Sequence, residues 1–136
     1  MKTLFIQAVV CLFFLLNSTP LFSGDLRYMG SMVGKVESDG TVRINGSTKG
    51  RFEKDGAIRV NGSLKGKIES GGSIRINGSL VGSVGSDGTV RKNGSIVGKI
   101  ESDGDVRKNG SLVGSARGVD PRRAAVIFFF DLFKID

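Results

Sequence analysis

Histidine and tryptophan are missing from this 136-residue chain, cysteine and tyrosine occur once each, and proline occurs twice. Without histidine there is no imidazole base, no partner for a hydroxyl or thiol nucleophile, and no histidine metal ligand. The lone Cys11 can form neither an internal disulfide nor a cysteine-rich zinc site. Most hydrolase, oxidoreductase and zinc-enzyme templates are therefore excluded, and the sequence reads as a non-enzyme with no cofactor. Long apolar runs are also scarce, with one at each end of the chain. What the chain has in plenty is glycine, 21 residues, roughly twice the usual share. These glycines do not recur every third residue, so a collagen helix is excluded too.

The first apolar run belongs to an address. Lys2 opens it, Leu4 to Leu16 is mostly apolar, and a small, polar Asn17-Ser18-Thr19-Pro20 stretch follows. That order is the pattern of a secretory signal peptide spanning residues 1–24, with cleavage near Ser23 or Gly24. The run is shorter than the roughly 20 residues a membrane span needs. Cys11 sits inside it after bulky Val10, which does not suit a lipoprotein acylation site. Cleavage would leave a chain without cysteine and lower the net charge from +7 to +6. The expected location is therefore the periplasm, the envelope or the medium.

From residue 25 to 118 the chain is a sixteen-residue repeat. Gly34-KVESDGTVRINGSTK, Gly50-RFEKDGAIRVNGSLK, Gly66-KIESGGSIRINGSLV, Gly82-SVGSDGTVRKNGSIV and Gly98-KIESDGDVRKNGSLV follow one another, with half a unit before and half after. Asn-Gly between β-like runs is a strong hairpin signal, because both residues tolerate positive φ. Six hairpins follow, with turn glycines at 30, 46, 62, 78, 94 and 110. A second dipeptide, Asp-Gly at Asp39, Asp55, Asp87 and Asp103, joins one hairpin to the next, and Gly71 replaces the aspartate once. Seventeen of the 21 glycines fall on three repeat positions: hairpin tips, connecting turns and mid-strand sites. A mid-strand glycine signals close backbone approach or a bend. The fold class is thus all-β, six tandem hairpins forming a flower- or propeller-like ring or a solenoid, with one short helix to follow.

Alternation favours a three-residue loop, Asn45-Gly46-Ser47. It places Val42, Ile44, Thr48 and Phe52 on one face, and Arg43, Lys49, Arg51 and Glu53 on the other. The same register groups Ile58, Val60, Leu64 and Ile68 as core. Lys92 and Lys108 replace the apolar residue beside the turn, which places that position near a rim.

The rhythm DGTVR, NGS and LVGKIE across residues 26 to 117 resembles the repeats of the small bacterial β-flower proteins, whose best-defined group is four-fold. There, hairpin petals surround a central axis. The present chain has six units and lacks the aromatic residues common in that group. The resemblance implies a petal-like ring and brings no catalytic residues.

Residues 119–136 differ in composition. Asp120 suits an N-cap and Pro121 the first helical position, so the pattern predicts a helix from about Pro121 to Phe133. Phe128, Phe129, Phe130 and Phe133 supply bulk that the aliphatic repeats lack, and the helix is expected to plug the hairpin assembly. The alternative is a peripheral membrane or partner-docking anchor, with Arg122 and Arg123 at headgroups and the rings in the interface.

Arg43, Arg59, Arg75, Arg91 and Arg107, with Arg27 before them, recur once per unit, and Lys or Arg also fills 35, 51, 67 and 99. Such rows could receive an anionic glycan, a cell-wall polymer or lipid headgroups. The blander expectation is a solvated face partly balanced by Glu37, Glu53, Glu69 and Glu101. Nucleic acid is not expected, since no aromatic platform interleaves the cations. The turn aspartates offer one carboxylate each, which turn chemistry explains better than a calcium site does. Ser38 and Ser47 lack a base to activate them. Asn-Gly-Ser at 45, 61, 77, 93 and 109 matches a glycosylation acceptor, but the turns already require Asn-Gly. The expected function is a non-enzymatic, exported structural or binding scaffold of the envelope or medium.

Overall fold

The computed structural model describes residues 23–135. Residues 1–22, and with them nearly all of the expected leader, lie outside the described residues. Twelve strands follow in chain order: β1 (Gly24–Tyr28), β2 (Ser31–Val36), β3 (Thr41–Ile44), β4 (Ser47–Phe52), β5 (Ala57–Val60) and β6 (Ser63–Ile68) make three hairpins. β7 (Ser73–Ile76), β8 (Ser79–Val84), β9 (Thr89–Lys92), β10 (Ser95–Ile100), β11 (Asp105–Lys108) and β12 (Ser111–Ser115) make three more, and helix α1 (Pro121–Phe129) follows. Every strand pairs antiparallel with its neighbours in sequence, and β1 pairs with β12. The result is a closed barrel rather than an open solenoid, and closure removes every sheet edge.

The hairpin turns are tighter than the three-residue loop predicted from alternation. Asn45 and Gly46 alone form the tip, with φ of 50° and 82°. Two residues of positive φ make a type I′ turn, whose twist matches that of the flanking strands. The odd residue appears two positions later as a β-bulge: Arg43 pairs with Thr48, while Val42 pairs with Gly50. Lys49 is the extra residue, and the same shift recurs in every hairpin. The bulge corrects one face assignment. Val42, Ile44 and Phe52 point inward as expected, but Thr48 and its equivalents Leu64, Leu80, Ile96 and Leu112 share the outer face with the arginines.

Inside, each unit contributes to successive rings of side chains. Leu26, Val42, Ile58, Ile74, Val90 and Val106 form one ring and are fully buried. A second, nearer the connecting turns, contains Val36, Phe52, Ile68, Val84, Ile100 and Ala116. The turns lock one unit to the next, since the Phe52 amide donates to the Gly40 carbonyl at 2.9 Å and this bond repeats at Ile68, Val84, Ile100 and Ala116.

An eight-stranded barrel is about as wide as its own side chains can fill, so twelve strands leave room in the middle. Helix α1 occupies it. Asp120 caps the helix by accepting the Arg122 amide at 2.8 Å, and Pro121 follows at the first position. Ala124 through Phe130 are all buried. The helix ends at Phe129, four residues before the predicted end, because Asp131 takes a φ of 57° and turns the chain back. That reversal brings Phe133 onto Phe52, with ring centroids 5.7 Å apart.

The mid-strand glycines explain themselves here. A β-carbon on Gly98 would strike the Arg107 carbonyl oxygen across the sheet and come 2.6 Å from Phe129 Cζ. Gly82 stands in the same relation to Phe130, Gly114 to Phe128 and Gly50 to Phe133. Gly98→Ala is expected to lower stability by about 1–3 kcal/mol through overpacking. Gly71→Ala, in open space at an ordinary φ, is expected to be neutral or slightly stabilising. Urea unfolding midpoints of the two variants check the contrast, and equal midpoints would refute the packing account.

Candidate functional site

The bulged hairpins turn one wall of charge outward. Arg43, Arg59, Arg75, Arg91 and Arg107 all stand on the outer face, one per hairpin, so the barrel brings together the arginines that the repeat singles out. Their cross-strand partners in the preceding hairpin are Lys35, Arg51, Lys67, Ser83 and Lys99. Four of these five pairs set like charges directly opposite one another, which is unfavourable in a sheet.

Glutamates offset that repulsion. Arg43 Nε donates to Glu37 Oε1, and the same pairing joins Arg59 to Glu53 at 2.7 Å, Arg75 to Glu69 at 3.0 Å and Arg107 to Glu101 at 3.2 Å. These pairs are roughly 40% exposed, so each adds little stability. Their effect is positional, because each ties a guanidinium to a glutamate of the preceding connecting turn. Arg91 differs. Gly85 occupies its glutamate position, and among the described residues Arg91 makes no ion pair.

The four phenylalanines stand elsewhere. Phe128, Phe129, Phe130 and Phe133 lie within the barrel, each at most 6% exposed. Lys92 and Lys108, at the rim, place their ammonium groups 5.6 Å and 5.3 Å from the ring centroids of Phe130 and Phe129. Cations over ring faces close that mouth of the barrel. At the opposite mouth Arg123 covers the Phe52 ring at 5.6 Å. Beside it a shallow cleft of about 200 Å³ runs between Glu53, Lys54, Asp55, Glu69, Arg122 and Arg123, a lining of mixed charge.

The turn aspartates are occupied by their own backbone. Asp39 Oδ1 accepts the Thr41 amide at 2.9 Å, and Asp55, Asp87 and Asp103 repeat the contact. Glu101, Asp103 and Asp105 lie close together, but Arg107 engages Glu101, the Asp105 amide engages Asp103, and Arg117 approaches Asp105 at 3.5 Å. The tip asparagines are exposed and held at φ near 50° by the turn.

Sequence reasoning found the arginine rows and the aromatic cluster but missed the outward apolar residues. Among the described residues, Met29, Met32, Leu64, Leu80, Ile96 and Leu112 are the large hydrophobic side chains left exposed. A two-residue Asn-Gly loop followed by a bulge was the signal that could have found them.

No family model, no curated protein and no solved structure matches this chain. The functional reading therefore rests on the barrel itself.

The carboxyls of Asp39 and Asp87 are held below the ordinary aspartate value, first by the backbone amide and then by the hydroxyl of Thr41 and Thr89 respectively. A depressed folded value favours the folded state above the unfolded value, about 3.9, and that benefit disappears as pH falls through the folded value. Wild type is therefore expected to lose stability on acidification below about pH 4. Asp39→Asn with Asp87→Asn, which keeps the turn acceptors, should show a shallower acid decline in thermal melts. Parallel curves for the two proteins would remove the turn carboxylates from the account.

Proposed function

We propose that this protein is a non-enzymatic, exported β-repeat scaffold that adheres to anionic polysaccharide of the envelope or medium through its outer wall. One observation carries the reading. In four of the five junctions between successive hairpins, all but the one with Ser83 and Arg91, the wall sets two outward cations against one glutamate: Lys35 and Arg43, Arg51 and Arg59, Lys67 and Arg75, Lys99 and Arg107. The glutamate occupies the arginine, so Lys35, Arg51, Lys67 and Lys99 remain as an exposed, regularly repeated set of cations.

Regular spacing suits a polymer better than a small ligand. Each site alone is weak, because it is exposed and screened by salt. A chain of carboxylates or sulfates engages several sites at once, and effective concentration then multiplies the affinity. The interior supports the same reading, since the phenylalanines that fill it are the chain's own and a barrel-enclosed ligand would have to displace them. The leader-like start supports export, which brings such polymers within reach.

Retention on immobilised polygalacturonate, compared with neutral dextran, tests the proposal. The protein should be held on the anionic matrix at low salt and released as salt rises. Replacing Lys35, Arg51, Lys67 and Lys99 together by Gln should weaken retention by about tenfold or more, the equivalent of at least 1.4 kcal/mol. Equal passage of wild type through both matrices at low salt would sink it.

A further inference from the structure

The two ends of the barrel are chemically opposite. Within residues 24–118 every acidic side chain lies toward the end built from the connecting turns, and none falls in the hairpin tips or the residues flanking them. The tip end carries instead the six exposed large hydrophobics of the described residues, from Met32 at 52% to Met29 at 65%. Five of them share one register position, and each is the direct cross-strand partner of a wall arginine: Met32 with Arg27, Leu64 with Arg59, Leu80 with Arg75, Ile96 with Arg91 and Leu112 with Arg107. Thr48, opposite Arg43, is the one polar member. Around the closed barrel the collar therefore alternates strand by strand, arginine then apolar residue.

We propose that this collar docks the tip end of the barrel on an anionic lipid surface. Three features choose lipid over a protein partner. The side chains radiate in all directions from the rim, so a partner on one side would cover only a few, and a second barrel stacked tip to tip would leave them at the joint's perimeter. A fluid surface surrounds the whole rim at once. The collar lies two residues below the turn, about 7 Å at a strand's rise per residue. That matches the roughly 5–10 Å to which interfacial helices sink their apolar faces. Finally, the backbone that enters first is partly satisfied already: the Gly62, Gly78 and Gly110 carbonyls accept from Arg59, Arg75 and Arg107 Nη1 at 3.4–3.5 Å.

The charge agrees with the geometry. Lys49 and Lys65 stand at bulges beside the collar, and Lys92 and Lys108 stand at the mouth; they outnumber exposed Asp131, the carboxylate that follows Phe130, so the entering end presents an excess of cations to phosphate headgroups. Strands of four to six residues are shorter than the roughly 9–11 that cross a bilayer. The barrel rests on the surface and does not span it.

Co-sedimentation with vesicles tests this, using the chain from Ser23 onward, which carries every strand and the helix and omits the apolar leader. Vesicles of phosphatidylcholine with a quarter phosphatidylglycerol should bring the protein down, and pure phosphatidylcholine should bring down much less. Leu64→Thr, Leu80→Thr and Ile96→Thr combined should reduce binding to the anionic vesicles roughly tenfold or more. Threonine already stands at this position in the second hairpin, and an unchanged thermal melt verifies that the variant is folded. The same variant should keep its retention on polygalacturonate, which separates this surface from the polysaccharide wall. Absence of wild type from the anionic pellet, or equal sedimentation of the folded triple variant, overturns the proposal.

Discussion

Twelve short strands joined by tight turns enclose more space than their own aliphatic side chains can fill. The rings of Phe128, Phe129, Phe130 and Phe133 supply the missing volume, and they fit because the strands facing them carry glycine. Barrel and helix depend on each other through this contact. Without the rings the lumen would be a cavity lined by valine and isoleucine, and a dry cavity of that kind is costly. Without the glycines the rings would have no seat. The sixteen-residue spacing matters because it returns a glycine to the same height on every second strand, wherever a ring arrives.

Much of this was legible in the residues. Asn-Gly and Asp-Gly fixed the turns, the repeat fixed the number of hairpins, and Val42, Ile44 and Ile58 were readable as core from alternation alone. The parity beyond each tip was not. A three-residue loop and a two-residue loop with a bulge both keep Val42, Ile44 and Phe52 inside, and they differ in where residues 48 and 49 and their equivalents point: the bulge sends Leu64 and Leu80 outward and lets Val81, Val97 and Val113 pack on the core. Leucine at 64, 80 and 112 made the inward choice look better, because burial is the usual fate of a large aliphatic group. The turn overrode it: a type I′ tip twists the way the strands do, and that preference acts on every hairpin. Closure was also out of reach, since it depends on strand tilt and on β1 meeting β12, neither of which leaves a local mark.

The arginine wall was found in sequence, but its electrostatic arrangement was not. Periodicity placed Glu37 and Arg43 six residues apart without showing that they touch. In the barrel each such glutamate lies on the diagonal from its arginine and neutralises it, which shifts the effective positive charge onto the neighbouring Lys35, Arg51, Lys67 and Lys99. Acidic groups gather at the connecting turns and apolar groups at the tips, so one repeated unit of sixteen residues produces a molecule with two unlike ends and a third kind of surface between them.

The seam between β1 and β12 has a consequence for the order in which the molecule can be made. Eleven of the twelve strand pairings join neighbours in sequence, and each hairpin can form as soon as its own residues are present. The twelfth pairs Arg27 with Ser115, so it must wait for nearly the whole chain. The helix that fills the interior comes later still. A chain emerging from its N-terminus thus exists first as a growing, curved, open ribbon. Its first strand remains without its second partner until the last strand arrives. Completion is a single late event in which the ring shuts and its contents are enclosed, and it happens at the strand nearest the start of the chain.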